Sequence, residues 1–257
     1  MSKFRGEAFV RAIAVAGMAI YSLSCSTTAP KTASLAAPKF VPQSQPDSIA
    51  ETGIGQDVTT GGIYLQWYIV PDAAGYKLFR ADTSDPGGNP LGFSIVANVS
   101  VASSLSDTSV VDNASLTTDK KYFYYLRSYL SDGSMSDPSD TINYTLWPRS
   151  ALNLPQNHAF IDSGDANLKW IDYAAGGFTV IRMTDMAVFP NKYIWITPRF
   201  QSFGGTFTIR FFDFDGSATS RLISHHSYQW RVDRFNTDQT GRPYIGSRST
   251  SFTFTVN

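Results

Sequence analysis

The chain has one cysteine, three histidines and no apolar run longer than the twelve residues Ala12–Leu23. Each shortage closes off a class of function. A single cysteine excludes an internal disulfide and a paired-cysteine metal site. Twelve apolar residues fall short of the roughly 20 needed to span a bilayer as a helix. Of the histidines, His158 sits in a loop-like PQNHAF and His225 and His226 sit side by side before a strand, which leaves little for acid–base catalysis. Neither sign of charge prevails, with 21 basic and 21 acidic residues, so no overall field would draw the chain to nucleic acid. The GxSxG elbow, HExxH and the phosphate-binding loop are all missing, and no cofactor is implied. The DFDG at Asp213–Gly216 could open a calcium loop. Counted from Asp213, however, it puts Ala218 where glycine is needed and Ser224 where a bidentate glutamate is needed, so Asp213 and Asp215 are read as turn residues and no metal ligand is assigned.

What is present begins with an address. Lys3, Arg5 and Arg11 precede the apolar run, and Ser22 and Ser24 precede Cys25. This is a secretory signal over residues 1–24. Its ending, YSLSCS, resembles a bacterial lipoprotein signal, although Ser22 stands where that pattern usually has leucine. The resemblance implies that Cys25 is acylated and becomes the first residue of the mature chain. More than one acyl chain would anchor it stably in a membrane. Loss of residues 1–24 removes three basic residues and Glu7, leaving 18 basic against 20 acidic. Residues 25–45 follow, rich in Ser, Thr, Ala and Pro, and are expected to form a flexible tether.

Beyond the tether the periodicity is two. Ile63, Leu65, Trp67 and Ile69 alternate, then Tyr76, Leu78 and Arg80, and the aromatic share of 14% suits strands. Two stretches carry the same device. In LTTDKKYFYYL, Leu116 and Tyr122 lie six apart across a polar turn, and Tyr124 and Leu126 continue on the face of Tyr122. In LISHHSYQWRV, Leu222 and Tyr228 are again six apart, followed by Trp230 and Val232. Trp67 precedes Tyr122 by 55 residues and Trp170 precedes Tyr228 by 58. The spacing predicts two all-β sandwiches of about 100 residues each, over 46–148 and 149–257.

Trp67, Tyr76, VVDNASLTTDKKYFYYL at the corner and GSMSDPS before a final strand together resemble a bacterial fibronectin type III domain. The second half resembles a divergent copy that keeps the tryptophan and the Leu222 and Tyr228 pair but has no aspartate matching Asp112. The resemblance implies immunoglobulin-like sandwiches in which leucine and tyrosine pack together at each corner and the tyrosine hydroxyl returns to the backbone. It also implies a non-catalytic role in adhesion, protein contacts or spacing. The expected place is the cell envelope, with outer-membrane sorting compatible with Ser26. Expected partners are the membrane, through the lipid, and an envelope protein or glycan. A second reading gives glycan binding to an exposed platform of Tyr193, Trp195, Phe200 and Phe203 in the second half. A third assembles an enzyme site from Asp213, Asp215 and His225.

Overall fold

The computed structural model describes residues 35–101, 108–173, 176–211 and 215–257. Cys25 and the signal lie outside the described residues. No helix among those described is long and apolar enough to cross a membrane.

The strands of the first half are β1 (Gly55–Gln56), β2 (Ile63–Gln66), β3 (Gly75–Ala81), β4 (Thr83–Ser84), β5 (Pro90–Leu91), β6 (Ser94–Ser100), β7 (Ser109–Asp112), β8 (Lys121–Tyr129) and β9 (Ile142–Leu146). Those of the second are β10 (Ala151–Leu154), β11 (Ala159–Ile161), β12 (Asn167–Asp172), β13 (Phe178–Asp185), β14 (Lys192–Ile196), β15 (Phe200–Gln201), β16 (Gly205–Arg210), β17 (Ser227–Thr237), β18 (Pro243–Arg248) and β19 (Phe252–Val256). In each half a three-stranded sheet, β1-β2-β7 or β10-β12-β16, faces a larger one. The alternating side chains that set the sequence period fill the space between: Ile63, Leu65, Trp67, Tyr76, Leu78, Tyr122, Tyr124 and Leu126 in one core, and Leu168, Trp170, Ile181, Met183, Tyr228, Trp230 and Val232 in the other. Both are immunoglobulin-like β-sandwiches, and the described residues form an all-β fold.

The two corners match atom for atom. Tyr122 Oη accepts from Thr117 N at 2.7 Å, and Tyr228 Oη accepts from Ile223 N at 2.8 Å. Three residues before each tyrosine the backbone turns left-handed, at Asp119 (φ 60°) and His225 (φ 64°). The N–H of each of those residues bonds the last strand of its sandwich at 2.7 Å, Asp119 to Leu146 O and His225 to Val256 O. A serine repeats as well. Ser139 Oγ accepts from Leu126 N, as Ser249 Oγ accepts from Val232 N, both at 2.9 Å. Asp112, which the second copy lacks, bonds Tyr124 Oη and Arg80 at 2.9 and 2.8 Å. Counting from the corners and along the register, Tyr124 falls on Trp230 and Arg80 on Met183. An apolar pair replaces a polar trio, so the aspartate has nothing left to bind.

One expectation is corrected here. Residues 35–45, read as part of a flexible tether, are packed. Leu35 and Phe40 lie on the first core, Phe40 bridges Trp67, and Val41 N donates to Gln66 O at 2.9 Å. The apolar Phe40 supplies the burial that the Ser, Thr and Pro composition hid, and the first sandwich starts near residue 35 rather than 46. The two sandwiches are also joined directly. β9 pairs in parallel with β18, Thr145 opposite Ile245 and Leu146 opposite Gly246, so the large sheets of both sandwiches run into one another through a shared ladder. Trp147 N extends that ladder to Gly246 O at 2.8 Å, and Arg234 stacks on the Trp147 ring at 5.5 Å. Residues 35–257 form one compact unit.

Candidate functional site

Strand alternation puts Tyr76 and Leu78 of β3 and Tyr122, Tyr124 and Leu126 of β8 in the first core, so Lys77, Phe79, Tyr125, Arg127 and Tyr129 project from the opposite face. Phe79 lies opposite Tyr125 on one side and Ile95 of β6 on the other. The Phe79 and Tyr125 rings stack at 4.6 Å and 12°, and Phe93 meets Tyr125 edge-on at 4.7 Å. Ile95 is 53% exposed. Cations surround this row. Lys77 stands over Tyr129 at 5.7 Å, Lys121 stands over Phe123 at 5.9 Å, and Arg127 lies opposite Lys77. β3, β6 and β8 turn no carboxylate toward this face, and Asp82 just beyond β3 is held by Lys120 at 2.6 Å. In a chain of balanced charge, this is a local concentration of positive sign beside aromatic rings.

The matching face of the second sandwich is covered. Counting from the corner tyrosines and the register, Phe79 corresponds to Arg182, Tyr125 to Arg231 and Arg127 to Asp233. Over that row lies a loop of the first sandwich, an excursion between the isolated bridge at Phe40 and β1. Arg182 Nη2 donates to the carbonyls of Pro46 and Ser48, the latter at 2.8 Å, and its Nε bonds Asp233 at 2.9 Å. Glu51 accepts from Arg231 and from Tyr193 Oη, the latter at 2.7 Å, with Arg248 3.5 Å away. Asp47 pairs with Arg199 at 3.1 Å. Burial alone would push the Asp233 carboxyl up, but the guanidinium of Arg231, with Arg248 and Arg182 beyond it, holds it down at about 2. Burial also raises the Tyr193 hydroxyl. This seam is built to hold, since every carboxylate in it has an arginine.

The four residues expected as a platform do not form one. Trp195 is a core residue at 1% exposure, and its Nε1 donates to Asp215 Oδ1 and Ser217 Oγ at 3.2 and 3.0 Å. Tyr193 lies under the loop against Glu51, and Phe200 packs on the core. Phe203 alone of the four is exposed, at 72%. The crowding of aromatics there reflects β13 pairing with β14, β15 and β17, which leaves much surface to fill. Asp213 lies outside the described residues. Asp215 closes its own turn onto Ser217 and the Trp195 indole, while His225 is spent on the corner. Among the described residues no group of three or more metal-ligating side chains gathers. What sequence reasoning passed over is the Phe79 and Tyr125 row. Its signal was the odd-numbered half of KYFYYLRSY, which mixes aromatics with cations opposite the core residues.

No family model matches the chain, and no curated protein is similar to it. Solved structures similar to it include an Fn3-like protein from Clostridium thermocellum, at 18% identity over 45% of this chain and 96% of that one, with a TM-score of 0.31. Others are the first three fibronectin domains of chicken CNTN1, at 11% identity over 86% of this chain and 66% of that one (TM-score 0.25), and the pectate lyase Pel3 of Pectobacterium carotovorum, at 13% identity over 49% and 33% (TM-score 0.26). The fold stands on this chain's own strand order and its two tyrosine corners.

Proposed function

We propose that this protein is a non-catalytic lipoprotein of the bacterial cell envelope, held by an acylated Cys25, whose joined sandwiches form a stiff arm that binds an envelope protein. The observation that carries the reading is the row Ile95, Phe79 and Tyr125 on the open face of the first sandwich, flanked by Lys77 and Arg127. Aromatic side chains with arginine beside them are enriched at protein interfaces. A glycan is less well served here, because Phe79 and Tyr125 turn their ring faces toward each other rather than toward solvent. The ladder from β9 to β18 supports stiffness, since it leaves no free linker between the sandwiches.

The test is capture from an envelope fraction by residues 35–257 and by the same unit carrying Phe79→Ala and Tyr125→Ala. Recovery of one protein, reduced tenfold or more by the pair of substitutions, is the expected result. Equal recovery would show that binding lies elsewhere. In the full chain, Cys25→Ser should leave the protein in the soluble fraction or with its signal uncleaved, and unaltered membrane association would remove the lipid anchor from the reading.

A further inference from the structure

The two large sheets expose equivalent faces, and the chain itself shows what covers one of them. On the second sandwich, the row Arg182 and Arg231 takes a turn of the chain, Gln45 to Glu51, through its carboxylates and main-chain carbonyls. That turn is closed by Ser48 N to Gln45 O at 3.0 Å, and it presents Asp47 to Arg199 and Glu51 to Arg231. On the first sandwich the equivalent row is Phe79 and Tyr125, half-buried beside the exposed Ile95 and bordered by Lys77, Arg127 and Lys121. Two things differ between the faces. The central pair is aromatic rather than cationic, so it offers apolar contact, and the cations move to the border, where none of them meets a carboxylate among the described residues of that face. Opposite charge across a contact sets partner choice and register, whereas like charge repels.

We infer that the open face of the first sandwich receives an acidic surface loop of the partner protein, with an apolar side chain over Phe79 and Tyr125 and carboxylates directed at Lys77 and Arg127. This rests on the proposed binding role and names the chemistry of the partner. Lys77 and Arg127 lie opposite one another, each two residues from the ring row along its own strand, so a pair of carboxylates on one side of a central apolar residue would reach both. A second copy of this chain does not fit, because its own acidic turn is already enclosed in its seam and its open face carries the same positive sign.

The probe is a ten-residue peptide alternating glutamate and valine, compared with its glutamine counterpart and with polygalacturonate as an anionic glycan. Amide NMR shifts of residues 35–257 would be followed in low salt. Expected are shifts centred on Lys77, Phe79, Ile95, Tyr125 and Arg127 with the glutamate peptide. The dissociation constant should weaken at least tenfold in 0.5 M salt, on the order expected when exposed pairs are screened. It should weaken similarly in Lys77→Glu with Arg127→Glu, and less in the milder Lys77→Gln with Arg127→Gln, whose retained tryptophan fluorescence would show an intact fold. Equal binding of the glutamine peptide, shifts confined to another surface, or binding of polygalacturonate alone would overturn the inference. The binding role fails separately. A captured envelope protein that is lost with Phe79→Ala and Tyr125→Ala, but is indifferent to salt and to charge reversal, leaves that role standing and refutes the acidic loop.

Discussion

At the scale of single residues, the hydroxyls of Tyr122 and Tyr228 are the test of the fold. Each ring is buried, at 1% and 0% exposure, and each oxygen takes a backbone N–H that the turn would otherwise leave without a partner. Removing an acceptor from a part-buried donor costs about 1–3 kcal/mol. Tyr122→Phe and Tyr228→Phe should therefore each lower the midpoint of urea unfolding without changing its slope, by an amount in that range. A change near zero would mean that water replaces the hydroxyl and the corner is held by packing alone. These residues were legible in the sequence because the corner is local: leucine, turn and tyrosine fall within seven positions, and the left-handed residue between them can be aspartate or histidine. The row of Phe79 and Tyr125 was not legible as a site. Outward residues of a strand differ from inward ones only by phase, and both phases of KYFYYLRSY carry aromatics.

At the scale of elements, the informative one is the segment before β1. Strand pairing at residues 39–41, through Val41 N to Gln66 O and Tyr68 N to Lys39 O, puts Phe40 beside Trp67 and extends the small sheet of the first sandwich. Composition hid this because three prolines and many small polar residues fit a disordered tether equally well, and one phenylalanine decides between them. A chain starting at residue 46 loses Leu35, Phe40 and both of those hydrogen bonds. It should be less stable than one starting at residue 35 by about 2–4 kcal/mol, the range for deleting a large, partly buried side chain with its bonds. Matching unfolding curves for the two fragments would return residues 35–45 to the tether. The same element puts the start of the first sandwich before residue 46. The excursion from Pro42 to Ile54 belongs to the first sandwich by chain and to the second by contact, and no local pattern announces contacts to arginines more than 130 residues away.

At the scale of the whole molecule, the seam decides whether two sandwiches behave as one body. Asp233 is its anchor: buried at 5% exposure, it binds Arg231 at 2.8 Å and Arg182 at 2.9 Å. Its carboxyl titrates near 2 in the folded chain, below the value of about 3.9 for an unfolded one. A group with a depressed folded value stabilises the fold fully above its unfolded value, and that stabilisation is lost as pH falls toward the folded one. The window is therefore about pH 4 down to about pH 2. Within it the melting temperature of residues 35–257 should fall as acid is added. Asp233→Asn should be less stable at neutral pH by about 3 kcal/mol, since the buried Arg182 loses its carboxylate and Arg231 keeps only Glu51. It should also show a shallower fall across the window, because the group that titrates there is gone. Calorimetry adds a second readout. If the seam couples the sandwiches, the parent melts in one transition at neutral pH and Asp233→Asn separates it into two. Two transitions in the parent would mean that the shared ladder and the arginine seam hold the sandwiches in place without making them fold together.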